Sequence, residues 1–228
     1  MKKESILFAV GGLLVGLIIG FFAANSINRN AASQQAIAQT QSNAPFANQP
    51  ANSQNQSGEM IPDVQEKLDK AKNEPENFAA QMSAGDMYAQ IGRYDKAFEF
   101  YERGVQLKPD NFQANVQLAN AYFDSRQYEN AEKYYTKSLE INPKDVNART
   151  DLATTFVERQ NPDYNRAVKE FQAALEISPK HEPTLYNLGV AFHRMGEAEK
   201  AQNTLSQLEQ TNSNSPLVSR LRQIFSAK

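Results

Sequence analysis

Residues 85–110 read GDMYAQIGRYDKAFEFYERGVQLKPD, and residues 119–144 read ANAYFDSRQYENAEKYYTKSLEINPK. Laid over each other at a shift of 34, they match Gly85 with Ala119, Tyr88 with Tyr122 and Ala97 with Ala131. They also match Tyr101 with Tyr135, Gly104 with Ser138 and Pro109 with Pro143. A third copy carries Ala153, Phe156, Ala167, Phe171, Ala174 and Pro179, with two extra residues between its halves. A fourth carries Gly189, Phe192, Ala201, Leu205 and Leu208. Self-similarity at such a period marks stacked units, each too small to bury its apolar face alone.

Each recurring site has a mechanical reason. Small residues at Gly85, Ala119, Ala153 and Gly189 let the two helices of a pair approach closely. Rings at Tyr88, Tyr122, Phe156 and Phe192 fill the layer between neighbouring pairs. Pro109, Pro143 and Pro179 stop the second helix, because proline cannot continue one. Tyr94, Tyr128 and Tyr164, each shortly before the recurring Ala, start the second helices. In the third unit Gln160-Asn161-Pro162-Asp163 is a turn signature, and loops accept insertions.

The pattern resembles the tetratricopeptide repeat, a 34-residue helix–turn–helix unit. The resemblance implies an all-α fold, a right-handed superhelical solenoid of about four units. These are 78–111, 112–145, 146–181 (with the insertion) and 182–215. The early Trp typical of the family is missing; Gln81, Asn115, Arg149 and Leu185 stand there. Amphipathic stripes flank the units: Val64, Leu68 and Ala71 within 59–77, and Leu217, Leu221, Ile224 and Phe225 within 216–228. They read as capping helices, since a stacked array needs polar ends.

The N-terminal quarter has another character. The run from Ile6 to Ala24 carries no charge, and Leu, Ile, Val and Phe make up most of it. As a helix it would extend roughly 28 Å, close to the hydrocarbon thickness of a bilayer. It is longer than the apolar core of a cleaved signal peptide and lacks a good small-x-small site, so it reads as an uncleaved transmembrane anchor. Lys2 and Lys3 precede it and Arg29 follows, which predicts residues 1–5 in the cytoplasm and the rest beyond the inner membrane. Gly12, Gly16 and Gly20 would line one face, where a second anchor could pack and form a homodimer. Residues 25–58 hold seven each of Asn, Gln and Ala and one charge, Arg29. With few large apolar groups they cannot offset the entropy of folding and read as a disordered tether, averaging roughly 30–35 Å end to end.

Composition excludes several classes. The chain has 228 residues, no Cys, no Trp, and 24 Lys plus Arg against 26 Asp plus Glu. Near-neutrality argues against nucleic acid, which needs clustered positive charge. The absence of Cys removes thiol chemistry and Cys-based metal sites. Only His181 and His193 could serve as imidazole ligands or bases, and neither has a marked partner. No phosphate loop, G-x-S-x-G or H-E-x-x-H occurs, so neither catalytic residues nor a metal or cofactor are expected.

What remains is the groove that the resemblance implies, lined by the first helix of each pair. Carried onto this chain, it offers Met82 and Asp86; Gln113, Val116, Asn120 and Phe123; Asn147, Thr150 and Thr154; Tyr186, Val190 and His193. Amides there can pair with a peptide backbone and apolar side chains can take apolar partners. The chaperone-binding members hold a C-terminal carboxylate with cations in their first helices; the matching positions here carry no Lys or Arg. From residue 59 onward 21 Lys plus Arg face 25 Asp plus Glu, which favours a cationic or neutral partner. The expected function is a membrane-anchored scaffold for a protein or peptide partner in envelope-complex assembly. Two further expectations stand beside it. The anchor-plus-repeat arrangement, with Thr184-Leu185-Tyr186-Asn187-Leu188-Gly189 and the insertion, resembles the accessory subunits of c-type cytochrome biogenesis. The alternative is a self-associating structural protein.

Overall fold

The computed structural model describes residues 62–227. The anchor, its glycines and the tether lie outside the described residues, as do the first residues of the N-terminal capping segment.

Ten α-helices make up the described residues: α1 (Pro62–Asn73), α2 (Phe78–Gln90), α3 (Tyr94–Leu107), α4 (Phe112–Asp124), α5 (Tyr128–Ile141), α6 (Val146–Glu158), α7 (Tyr164–Ile177), α8 (Glu182–Arg194), α9 (Ala198–Thr211) and α10 (Pro216–Ser226). The first helices of the four units are α2, α4, α6 and α8, and α10 begins one full period after α8. Helix α10 is therefore the first half of a fifth unit. Helix α1 occupies the register of a second helix, with Pro75 one period before Pro109.

The register explains why the array stops at both ends. Where the first unit buries Tyr101 and Gly104 against its own first helix, α1 carries Lys67 and Lys70. At the other end Val218 and Leu221 are buried with Leu185, Tyr186 and Val190, and Leu217, Ile224 and Phe225 pack onto that cluster. The α10 positions that would meet a further second helix are Ser219, Arg222 and Gln223. Apolar residues face inward and polar ones terminate the stack.

Starts and stops of the helices are set locally. Asn77, Asn111 and Asp145 accept from the backbone N–H of Ala80, Ala114 and Ala148, each satisfying a donor that the helix itself leaves open. His181 holds the same place at α8 and makes no such bond to the backbone. The Trp-less positions have a use of their own. Gln81 donates to Ala71 O at 2.6 Å and Glu74 O at 3.2 Å. Asn115 donates to Pro109 O and Asn111 O, and Arg149 to Pro143 O. Three polar donors thus bind carbonyls of the preceding turn, which a Trp ring would only cover. Leu185 is instead buried in the C-terminal core.

The turn inside each unit is closed by one hydrogen bond. Tyr88 O accepts from Arg93 N, Tyr122 O from Gln127 N and Phe192 O from Glu197 N, a Schellman-type closure. Each of these turns passes through a left-handed residue: Gly92 (φ 71°), Arg126 (φ 63°) and Gly196 (φ 76°). In the third unit Phe156 O accepts from Asp163 N at 2.9 Å. The two extra residues lengthen the loop while the acceptor and the start of α7 keep their roles. Arg159 and Arg166 lie over the Phe156 ring, 4.9 and 4.0 Å from its centre, and both reach Glu132 of the preceding unit. The inserted loop is thereby pinned to α5.

Close approach is visible at three glycines. A Cβ on Gly85 would collide with the Tyr101 ring and one on Gly104 with Met82 Sδ. A Cβ on Gly189 would lie 2.7 Å from Leu221 Cδ2. This corrects the expectation for Gly189: the helix it admits is α10, not the second helix of its own pair.

Candidate protein-binding groove

The first helices α2, α4, α6 and α8, with α10 after them, supply the surface in question. Half of the twelve anticipated residues are withdrawn from it. Met82, Phe123, Thr150, Thr154, Tyr186 and Val190 are buried. Met82 fills the space that Gly104 leaves. Phe123 meets Tyr128 edge to face at 5.5 Å. Tyr186 and Val190 belong to the C-terminal core. Thr150 and Thr154 spend their hydroxyls on the helix carbonyls of Val146 and Thr150. A fixed list of family positions cannot know which side chains the next unit covers.

Gln113 is exposed; Asp86, Val116, Asn120, Asn147 and His193 are partly exposed. His193 stacks on Phe225 at 5.1 Å, so one face of its ring belongs to α10. Asp86 accepts from the Tyr101 hydroxyl at 2.6 Å and from Gln117 Nε2 at 2.7 Å. Burial pushes the Asp86 carboxyl above its usual range, more than those two donors pull it down. Burial likewise raises the Tyr101 hydroxyl, and the Asp86 charge adds to it, so the tyrosine stays the donor. Asn120 Oδ1 accepts from Tyr135 at 2.5 Å, which leaves its NH2 to face outward.

Two bonds tie successive first helices together: Gln117 to Asp86, and Asn187 Nδ2 to Thr154 Oγ1 at 3.3 Å. A third link is Thr150 to Thr184, 2.6 Å between hydroxyls. With Thr150 donating to Val146 O, Thr184 donates to Thr150 and receives from His181 Nδ1–H at 2.6 Å. Burial lowers the His181 pKa, against the pull of Asp145 and Glu182.

Sequence reasoning missed Gln117, Asn187 and Arg220. The signal for Arg220 was available: it lies one period after Tyr186, in the same groove register, once α10 is recognised as a half-unit.

Among the described residues no group of three or more His, Asp or Glu side chains is placed to hold a metal ion. None of the described helices is long and apolar enough to cross a membrane.

Family models described as tetratricopeptide repeat match residues 113–145 and 159–224, and one described as TPR repeat matches 85–125. The chain is a tetratricopeptide repeat protein. It is similar in structure to crystallised MamA, at 17% identity over 66% of this chain and 86% of that one, with a TM-score of 0.60. MamA from Desulfovibrio magneticus RS-1 (residues 41 to the end) aligns at 16% identity over 67% and 85%, TM-score 0.61. YrrB, described as a TPR protein with an unusual peptide-binding site, aligns at 20% identity over 70% and 81%, TM-score 0.60. At these identities the likeness concerns the fold alone. No curated protein matches the chain.

Proposed function

We propose that this protein is a membrane-anchored scaffold that holds a protein or peptide partner against its first helices. The observation that carries the binding reading is the run of accessible hydrogen-bonding groups on successive first helices: Asp86 on α2, Gln113 and Asn120 on α4, Asn147 on α6. Their spacing follows the stack, so an extended chain laid across it meets a donor or acceptor at each unit. YrrB, of the same fold, is described as having a peptide-binding site, which supports this reading.

The anchoring part rests on the uncharged run from Ile6 to Ala24 and the tether after it. In this reading Lys2 and Lys3 stay in the cytoplasm and the repeats work on the far side of the inner membrane, in assembly of an envelope complex. The narrower cytochrome-biogenesis resemblance leans on Thr184–Gly189. Thr184, Leu185, Tyr186 and Leu188 are buried packing residues of α8, so that stretch carries no partner identity. End-to-end self-association is disfavoured by the polar ends of α1 and α10. A dimer through Gly12, Gly16 and Gly20 is compatible with the proposal.

The test is proximity labelling by the full-length protein, compared with Gln113→Ala plus Asn147→Ala. Asn120 is spared because its oxygen holds Tyr135. Loss of the labelled set in the double variant is expected. An unchanged set rejects the groove, and labelling confined to cytoplasmic proteins rejects the topology.

A further inference from the structure

The arginines of the C-terminal half divide unevenly. Arg149, Arg159, Arg166, Arg194 and Arg222 each meet a carboxylate, Glu170, Glu132, Glu132, Glu158 and Glu209 respectively. Arg220 does not. Its side chain is only partly exposed, and its Nη1 is enclosed with no hydrogen-bond partner among the described residues. An enclosed guanidinium nitrogen without an acceptor is costly, and native proteins keep such groups where a further acceptor arrives.

Position says from which side it arrives. Arg220 stands on α10 in the register of Met82, Val116, Thr150 and Tyr186, the line that faces the groove in the complete units. It is close enough to act on the Tyr186 hydroxyl, which burial holds above its usual range while Arg220 and Arg194 pull it down. Arg194 is already engaged by Glu158 at 2.7 Å. The charges along the first helices therefore change sign: Asp86 on α2 and Asp124 on α4 at one end, an unspent Arg220 on α10 at the other.

We infer that Arg220 is the seat for a carboxylate of the bound peptide, which fixes the peptide's direction along the groove. The inference rests on the peptide-binding reading above and adds its polarity. A guanidinium suits a carboxylate because its parallel N–H groups can engage both oxygens. The carboxylate can belong to an Asp or Glu side chain or to the peptide's C-terminus. In either case the other end of the peptide, near Asp86 and Asp124, favours Lys or Arg.

The experiment selects binders from a random decapeptide library, once with free C-termini and once amidated, on the full chain in detergent micelles. Arg220→Gln, Arg220→Lys and Arg220→Glu are compared, with folding checked by circular dichroism. The wild type is expected to enrich peptides bearing a carboxylate at one fixed position or at the terminus. Arg220→Gln should reduce that enrichment at least tenfold, Arg220→Lys should keep most of it, and Arg220→Glu should select Lys or Arg there instead. Enrichment that survives amidation identifies a side-chain carboxylate; enrichment that disappears identifies the terminus. If Arg220→Glu selects the same peptides as the wild type, the Arg220 seat is wrong and the groove stands. If the wild type selects no peptide at all, the groove reading falls and the seat falls with it.

Discussion

The Tyr101 hydroxyl donates to Asp86 Oδ1 at 2.6 Å, and one period later the Tyr135 hydroxyl donates to Asn120 Oδ1 at 2.5 Å. At the corresponding positions of the third unit stand Phe171 and Thr154, and of the fourth Leu205 and Val190. Where the ring has no hydroxyl, the facing residue needs no donor: Thr154 satisfies itself on Thr150 O. Polar and apolar choices change together because a buried hydroxyl without an acceptor, or the reverse, is costly. Tyr101→Phe removes one donor from a partly buried carboxylate and is expected to lower stability by about 1.5–3 kcal/mol. Urea unfolding measures it, and Tyr135→Phe, facing a neutral amide, should cost less.

The Asp86 carboxyl is raised by burial, so the folded state holds its proton more tightly than the unfolded chain. Its contribution to stability is fully present below about pH 3.9, the unfolded value, and is lost as pH rises through the folded one. Asp86→Asn removes this dependence. The stability of the variant relative to the wild type should therefore rise between pH 3.5 and pH 7. Paired denaturant curves at both pH values test the sign, and a difference that does not change with pH refutes it.

Arg126 is a non-glycine residue in the left-handed turn position that Gly92 and Gly196 occupy elsewhere. A left-handed L-residue costs roughly 1–2 kcal/mol, and the greater unfolded freedom of glycine returns part of that. Arg126→Gly is expected to stabilise by about 0.5–1 kcal/mol. The same substitution at the exposed, helical Glu129 should destabilise, which separates backbone relief from loss of a charged side chain.

Gly189 and Leu221 share one space. Leu221→Ala should cost about 2–5 kcal/mol through the cavity it opens, and Gly189→Ala about 1–3 kcal/mol through overpacking. Combined, the new methyl enters the vacated volume, so the double variant should be more stable than the sum of the singles by about 1 kcal/mol or more. Additive losses would mean that α10 does not dock on α8 as described.

His181 holds the α8 cap place without bonding the backbone, and its pKa is lowered by burial. A lowered imidazole pKa gives stability that is present above about pH 6.5 and lost as pH falls through the folded value. His181→Asn restores the cap seen at Asn77 and Asn111. It should raise the melting temperature at pH 7, corresponding to about 1 kcal/mol, and abolish the extra loss between pH 6.5 and pH 4.5.

Much of this fold is legible in the chain. Period, prolines and small-residue sites place every full unit, because each acts within a helix or the turn beside it. Residues at the site were harder to read. Met82 and Phe123 look like contact residues on a helix wheel, yet both are buried in the stack. Gln81, Asn115 and Arg149 look like the absence of a Trp, yet their donors find the turn carbonyls.

The sequence alone determined the helix-pair period, the apolar N-terminal run and the absence of any catalytic motif, since these depend on composition and spacing. Tertiary structure alone decided which face each helix keeps free, where Gly189 makes room, and that one nitrogen of Arg220 is enclosed without an acceptor. Those outcomes turn on distances between residues far apart in the chain, and local propensity carries no information about them.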